Sequence, residues 1–241
     1  MSSQHIFISD GDVINQIRID NGQLIRHIVI QSTPQSICIS PDEQFLYVAY
    51  NTLNLTLPGS PIHKYRLADG AMIPMNGCKG NRICISKNDK VLFISRDTGN
   101  EIQVVDEDVG NIQTIQLNRV VIGGSMCLSP CGDFLFVADN RHNDKQIHIL
   151  DINGEYRILH IPNIPHIVVD SICISSDGAF LFASNKFNNR IEVLSVEDGS
   201  IVRTIQCARV DKIDSICISP DDQEIFVKSS GSSFVHVFQA S

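Results

Sequence analysis

The pentapeptide Ser36-Ile37-Cys38-Ile39-Ser40 recurs four more times along this chain of 241 residues. The equivalent segments occupy 82–86, 125–129, 171–175 and 215–219, so successive copies begin 46, 43, 46 and 44 residues apart. Each copy keeps a cysteine at its centre and a serine at its end. Such regular spacing predicts a repeat protein that is built from one supersecondary unit.

The residues after each pentapeptide follow a common order. A polar turn leads to an apolar run such as Phe180–Ala183, and a loop then leads to an alternating run such as Ile147–Asp151. A glycine turn such as Asp198-Gly199 precedes a fourth run such as Ser200–Ile205. Asp-Gly and Asn-Gly between alternating runs are hairpin signals. The sequence therefore predicts an all-β fold with four antiparallel strands per unit, which is typical of a β-propeller blade.

The strand counts at the chain ends favour six blades. Second strands run from His5–Ile8 in the first unit to Glu224–Val227 in the last, and third strands from Asn15–Asp20 to Phe234–Phe238. The first unit lacks its first strand and the last unit lacks its fourth, so two incomplete blades would meet where the ring closes. The alternative is five blades, with the terminal strands sharing one blade. We expect a single domain, 1–241, divided into a partial unit at 1–35, units at 36–81, 82–124, 125–170 and 171–214, and a partial unit at 215–241.

Two stretches carry a resemblance to a known family. Residues 40–49 read Ser-Pro-Asp-x-x-Phe-Leu-Tyr-Val-Ala, and 102–115 contain Ile-x-Val-Val-Asp followed by a glycine turn and another β-prone run. These motifs resemble the YVTN/lactonase-like β-propeller repeat. The chain contains no Trp, so the architecture is similar to that of WD40 proteins without their Trp-Asp signature. The resemblance implies a propeller fold, and some relatives of this kind are hydrolases or bind metals at the channel mouth.

Composition and charge exclude several classes of protein. With 43% hydrophobic and 19% charged residues, the chain is not intrinsically disordered. The net charge of −8 argues against binding to nucleic acid. No apolar run is long enough to cross a bilayer, and Met1–Gln4 lacks the features of a secretory signal. Eight cysteines without such a signal indicate a reducing compartment, so we expect a cytoplasmic protein with neither nucleic acid nor membrane as a partner.

The cysteines of the repeat raise the question of a metal or redox centre. Packed sheets lie about 10 Å apart, whereas a disulfide needs Cα atoms within about 7 Å and a zinc site needs converging thiolates. We therefore expect these cysteines to be small buried apolar residues beside the first strand, with no metal and no cofactor. The five repeat cysteines are Cys38, Cys84, Cys127, Cys173 and Cys217.

The histidines form no catalytic constellation in the sequence. His63, His148 and His236 fall at one polar position of the third strand, where other units carry Arg18, Gln103 and Glu192, and the alternation predicts a solvated or cross-strand role. His142 and His166 lie alone in loops. No G-x-S-x-G, H-E-x-x-H, P-loop or EF-hand pattern occurs, so no catalytic residue is assigned. A non-enzymatic protein is favoured, and a lactonase-like hydrolase or small-ligand binder at the channel mouth is the alternative.

The predicted loops divide between two faces of unlike charge. Connections from strand one to two and from three to four carry seventeen acidic residues and two lysines, a balance of −15. Connections from strand two to three and between units carry ten basic and nine acidic residues, a balance of +1. Asp in tight turns hydrogen-bonds its own backbone, which is sufficient to explain the acidic face.

The second face has the more variable loops, and a rigid scaffold with variable loops is a common way to build a binding surface. We therefore expect a scaffold that binds a protein or peptide through this face. A self-associating structural protein, joined through its incomplete terminal blades, is a further alternative. The candidate partner-binding residues are Leu55, Arg96, Arg141, His142, Lys186, Phe187 and Arg190.

Overall fold

A computed structural model describes residues 5–50, 61–86, 91–95, 100–107, 110, 112–117, 124–139, 146–153, 158–160, 169–185, 187–229 and 232–240. All the regular secondary structure in these ranges is β-strand. The strands are β1 (His5–Asp10), β2 (Val13–Arg18), β3 (Leu24–Val29), β4 (Pro34–Ile39), β5 (Phe45–Tyr50), β6 (Pro61–Arg66), β7 (Met72–Lys79), β8 (Arg82–Ile85), β9 (Val91–Ser95), β10 (Glu101–Asp106), β11 (Ile112–Gln116), β12 (Met126–Leu128), β13 (Phe134–Asp139), β14 (Gln146–Asp151), β15 (Ile158–His160), β16 (Val169–Ile174), β17 (Phe180–Asn185), β18 (Arg190–Ser195), β19 (Ile201–Gln206), β20 (Ile213–Ile218), β21 (Glu224–Ser229) and β22 (Val235–Gln239).

In the described part of the chain these strands form six small sheets in chain order. The sheets are β1–β3, β4–β7, β8–β11, β12–β15, β16–β19 and β20–β22, and each strand pairs with its neighbour in sequence. The four inner sheets have four strands each, whereas the first and last have three. The predicted all-β fold of small antiparallel sheets is therefore confirmed. The described residues contain no helix with the length and apolarity needed to span a membrane.

Contacts along the chain group it into two compact units. The first comprises Met1–Ile85, Asp89–Arg96 and Gln103–Gln113. The second comprises Ser86–Asn88, Asp97–Ile102 and Thr114–Ser241. The assignment of 1–241 to a single domain remains a prediction.

In the first unit, the second strand of a sheet contributes side chains to two apolar layers. Successive side chains of a strand point to opposite faces. In β5, Leu46 therefore packs in a layer with Ile14 of the preceding sheet. Tyr47 and Ala49 pack in the next layer, together with Ile83 of the following sheet. Both faces of β5 are apolar because both are covered, and this explains why second strands read as continuous apolar runs.

The second unit repeats this arrangement around β17. Leu181 and Ala183 lie in a layer with Phe136 of the preceding sheet. Phe182, which points the other way, lies in a layer with Ile216 of the following sheet. The sheets β12–β15, β16–β19 and β20–β22 thus pack face to face in succession.

The first serine of the pentapeptide links neighbouring sheets. Ser36 Oγ accepts a hydrogen bond from Ile83 N at 3.2 Å and lies 3.4 Å from Ile83 O, to which it donates. Ser171 Oγ likewise accepts from Ile216 N at 3.1 Å. Because β8 and β20 lie at the ends of their sheets, alternate backbone N–H groups have no strand to bond to. The serine hydroxyl of the preceding sheet satisfies such a group.

The last serine of the pentapeptide organises the turn into the second strand. Ser40 Oγ accepts from Phe45 N at 2.9 Å and donates to Asp42 Oδ1 at 2.5 Å. Asp42 Oδ1 also accepts from Gln44 N at 3.1 Å. The same Ser–Asp turn is formed by Ser175 with Asp177 and by Ser219 with Asp221, whereas Ser129 has Cys131 Sγ at 3.2 Å instead.

The inter-sheet serine bond can be tested by removing its hydroxyl. Ser171→Ala leaves the buried Ile216 N–H without its acceptor, so we expect the free energy of unfolding to fall by about 1–3 kcal/mol. Urea unfolding followed by circular dichroism measures this. Ser215→Ala is the matched control, because Ser215 holds the same repeat position but is exposed in the last sheet. It should change stability by less than about 0.5 kcal/mol, and equal losses in both variants would contradict the role of Ser171.

Candidate functional site

The structure describes two of the seven candidate partner-binding residues. Phe187 and Arg190 belong to the hairpin that joins β17 to β18. Both lie in the second unit. The remaining candidates, Leu55, Arg96, Arg141, His142 and Lys186, lie outside the described residues, as does His166.

Phe187 projects from a hairpin whose backbone is fixed by a buried side chain. Asn185 Oδ1 accepts hydrogen bonds from Phe187 N and Asn188 N, both at 3.2 Å. Asn189 then adopts a left-handed conformation with φ 47°, which Asn tolerates better than most residues. The Phe187 residue is 75% exposed. A large apolar side chain is thus held in solvent by a structured turn.

This hairpin is also attached to the connection between the last two sheets, Cys207–Lys212. Cys207 N donates to Asn189 O at 2.9 Å, and Lys212 N donates to Asn189 Oδ1 at 3.1 Å. The connection is anchored in turn by Cys207 and Val210, which are buried in the layer between these sheets. Its exposed charged residues are Arg209, Asp211 and Lys212.

A second phenylalanine occupies the corresponding connection of the next sheet. Phe234, 47 residues after Phe187, precedes β22 and is 74% exposed. Its N–H donates to Ser232 Oγ at 3.1 Å, and Lys228 Nζ donates to Ser232 O. Ser229 Oγ donates to Asp211 O, which ties this loop to the Cys207–Lys212 connection. The same connection therefore supports both phenylalanine loops.

We call this set of residues the two-phenylalanine surface: Phe187, Phe234 and the exposed part of Cys207–Lys212. Sequence reasoning selected Phe187 but assigned Phe234 to the third strand, which begins one residue later, at Val235. The signal that could have found it is its place in the repeat, since both phenylalanines lie between the second and third strands of successive units. Exposed aromatic side chains on a fixed support are a typical feature of protein-binding surfaces.

Arg190 has a structural role in the hairpin. Its guanidinium pairs with the carboxylate of Glu192, whose side chain is 1% exposed. Glu192 Oε2 also accepts from Thr204 Oγ1 at 2.5 Å on the neighbouring strand β19. The charge of Arg190 thus compensates a buried carboxylate, which would be costly to leave unpaired.

Two of the three histidines at the shared polar position of the third strand are buried. His63 and His148 pair with Val48 and Val137 of the second strands and are almost fully buried, so the predicted solvated role is wrong for both. The cross-strand role holds for His148, whose Nε2 lies 3.4 Å from Asp139 Oδ2.

The pairing of β1 with β2 also corrects which residue of the first unit occupies this polar position of the third strand. Asn15, not Arg18, pairs with the fourth residue of the second strand, Ile8. The sequence of the third strand alone does not show that Asn15 is the equivalent residue, because the equivalence is defined by the residue that it pairs with in the second strand.

His63 lies in an aromatic cluster of the first unit. Its ring meets those of Tyr50 and Tyr65 edge-on, with centroids 5.2 and 6.4 Å away. The two tyrosine hydroxyls hydrogen-bond to each other at 2.7 Å. Burial lowers the pKa of His63, so its ring is neutral near pH 7. The two tyrosines of this cluster belong to the apolar layer between the first two sheets.

Three repeat cysteines pack as predicted against apolar layers: Cys38, Cys127 and Cys173. These three are partly buried, Cys84 is buried, and Cys217 is exposed, contrary to expectation. Cys38, Cys127 and Cys173 each face the layer that their sheet shares with the following one. No group of three or more His, Cys, Asp or Glu within the described ranges is arranged to hold a metal ion.

The acidic turns behave as turn chemistry predicts. Asp177 accepts from Ser175 Oγ and from Ala179 N, and these bonds hold its pKa below the usual value. The bond from Ser219 lowers the pKa of Asp221 in the same way, and that from Ser200 N lowers the pKa of Asp198. These carboxylates stay ionised near neutral pH while also completing their turns.

Comparison with known proteins extends the fold assignment only. No protein-family model matches the chain, and no curated protein matches it. Kuenenia stuttgartiensis hydrazine synthase is similar in structure, with a TM-score of 0.73 and 16% identity over 99% of this chain and 81% of that one. A functionally unknown protein from Desulfotomaculum acetoxidans gives a TM-score of 0.64 and 19% identity over 98% and 79% of the two chains. Together with the six small sheets, these likenesses fit a β-propeller-like fold.

The ion pair of Arg190 leads to a stability prediction. Arg190→Glu removes the compensating charge and places a second carboxylate beside buried Glu192, so we expect a loss of about 3–5 kcal/mol in unfolding free energy. Arg209→Glu changes the same charge at an exposed position and should cost less than about 0.5 kcal/mol. Thermal and urea unfolding of both variants measure the difference. Equal stability of the two variants would show that Arg190 does not compensate Glu192.

The cysteines allow a second test. Desolvation raises the pKa of Cys38, Cys84 and Cys173, so at pH 8 these thiols contain very little thiolate and are also shielded. Exposed Cys131 should react with iodoacetamide before these three thiols, which should react fully only after denaturation. Mass-spectrometric mapping at increasing reaction times measures the order. Alkylation of Cys173 at the rate of Cys131 in the folded protein would refute the placement.

Proposed function

We propose that this chain is a non-enzymatic, cytoplasmic scaffold that binds a protein or peptide through the two-phenylalanine surface. In this proposal the six sheets are the blades of one β-propeller of the YVTN/lactonase-like kind, closed by its two three-stranded blades. The observation that carries the proposal is the pair of exposed phenylalanines, in the same connection of successive sheets, on loops tied to one segment.

The exposure of these side chains supports a binding role. Phe187 and Phe234 are three-quarters exposed, so they contribute little apolar burial to the fold. Covering them would add the transfer free energy of two aromatic side chains, and aromatic anchors of this type often dominate interface energetics. Anchoring by fixed turns limits the conformational entropy lost on binding.

The charges around the surface favour a protein or peptide over a polyanion. Arg209, Asp211 and Lys212 give the connection a mixed rim with a small positive excess. The turn carboxylates, such as Asp177, Asp198 and Asp221, lie in the other type of connection and add a strong negative field. A nucleic acid would be repelled by that field, whereas a short apolar segment with a few acidic residues would match the rim.

A random peptide display selection with the purified full-length chain tests this function. We expect enriched peptides to share apolar anchor residues. Phe187→Ser with Phe234→Ser should weaken their binding, measured by calorimetry, at least about 30-fold, because two buried aromatic contacts are lost.

Val29→Ser is the matched control, since Val29 is 72% exposed on β3 in the first unit. This variant should bind the selected peptides like the unchanged chain. Peptides that bind the double phenylalanine variant with undiminished affinity would overturn the proposal, as would a selection that enriches none.

A further inference from the structure

The last sheet ends in a strand with an open edge. In each four-stranded sheet a fourth strand lies beyond the third, as β19 lies beyond β18, and in the first sheet β3 lies beyond β2. Within the described residues, β22 pairs with β21 alone and is the outermost strand of its sheet. Its backbone therefore presents hydrogen-bonding groups along one side that no strand of this sheet satisfies.

The register identifies which residues carry those groups. Ala240 N donates to Gln223 O at 2.8 Å, and Glu224 pairs with Gln239. In an antiparallel ladder, residues alternate between bonding inward and pointing outward. Phe238 and His236 therefore bond toward β21, and the N–H and C=O groups of Val235, Val237 and Gln239 point to the open edge. The Val237 residue is itself 51% exposed.

This edge lacks the features that protect the outer strands of three other sheets, and it is longer than the three-residue outer strand β15. The pairings of β2 with β3, of β6 with β7 and of β18 with β19 all contain a register shift, which bends an outer strand. The pairing of β21 with β22 is continuous. β22 also contains no Lys, Arg, Asp or Glu, the side chains that commonly discourage pairing at an edge.

The two ends of β22 are held in place. Arg203 of β19 donates through its guanidinium to Ala240 O, and Phe238 packs in the apolar layer beside β16–β19. Lys228 fixes the loop that precedes the strand. The open edge is therefore preorganised, and pairing with it requires no rearrangement of the sheet.

We propose that β22 of two copies of this chain pair antiparallel about a two-fold axis at Val237, which gives a closed dimer with a six-stranded sheet. In this register Val237 faces its own copy and Val235 faces Gln239. All three residues point their backbone groups outward, so each pair forms ladder hydrogen bonds.

The neutral composition of β22 makes this edge a place where a second copy of an acidic chain can bind. The chain has a net charge of −8, so most surfaces of two copies repel each other. β22 is a neutral segment, and the antiparallel register sets no like charges opposite each other. A two-fold contact of this kind is isologous and closes at two copies, because each dimer uses both open edges.

Sedimentation velocity of the full-length chain at concentrations up to about 1 mM is the first measurement, and we expect a reversible dimer. Val237→Pro removes an outward N–H and leaves the ladder to β21 intact, so folding should be unchanged while the dimer dissociation constant rises at least about 50-fold. Val29→Pro is the matched control, because Ile30 N bonds to Asp12 O and the Val29 N–H therefore points away from β2. This control should keep both the fold and the dimer.

A charge exchange tests the two-fold register. Val237→Lys and Val237→Glu should each be monomeric alone, because like charges then oppose each other, and an equal mixture should form a heterodimer. A wild-type chain that stays monomeric throughout the range would overturn the proposal. So would a dimer that survives Val237→Pro, or charge variants that fail to associate when mixed.

The dimer and the binding surface can be distinguished. Phe187→Ser lies on the other hairpin and should leave the dimer mass unchanged even where it weakens peptide binding. Selected peptides that displace the second copy and lose affinity in Val237→Pro would identify an extended peptide as the occupant of the edge, and would also overturn the proposal.

Discussion

Burial of both sheet faces is the constraint on which the rest of this structure depends. A small sheet needs cover for its apolar faces, and β4–β7 and β16–β19 are each covered on both faces by apolar layers shared with their neighbours. The second strands meet most of this requirement, since Leu46 and Tyr47 are both fully buried although they point in opposite directions. Each such side chain contributes about 1.5–3 kcal/mol on leaving water, so the repeated apolar runs supply a large part of the stability.

Stacking the sheets in this way also buries backbone N–H and C=O groups, and side chains of the repeat form hydrogen bonds with them. The first strand of a sheet has one side without a ladder partner, and Ser36 and Ser171 bond there to the next sheet. The serine that ends the pentapeptide closes the following turn. The hydrogen bonds of the serines and the packing of the apolar residues between them give the pentapeptide a structural role. This role is sufficient to explain why the motif recurs along the chain.

The strands could be predicted from the sequence because alternation and turn chemistry act locally. β17 was expected over Phe180–Ala183 and extends to Asn185, a residue whose side chain begins the next turn. The burial of His148 and of Glu192 depends on neighbouring strands, and so does the equivalence of Asn15. A single strand pattern shows that such a position is polar, but not which group faces it across the sheet.

The candidate surface was predicted only in part for a related reason. Phe187 stood out because it lies in a polar loop, whereas Phe234 adjoins Val235 and reads as the start of an apolar strand. Only the fold shows that the strand starts after Phe234 and that its loop bonds to the connection which supports Phe187.

The exposure of these two side chains does not follow from the stacking of the sheets, because the layer between the last two sheets is already filled by residues such as Ile216 and Val210. Either phenylalanine could be replaced by a polar residue without opening a cavity in that layer. Their position in solvent is maintained by Asn185, Asn189 and Ser229, whose hydrogen bonds fix the loops. Apolar area that the fold leaves exposed on fixed loops is the property that a binding surface requires, and the fold's own packing gives no other reason for it.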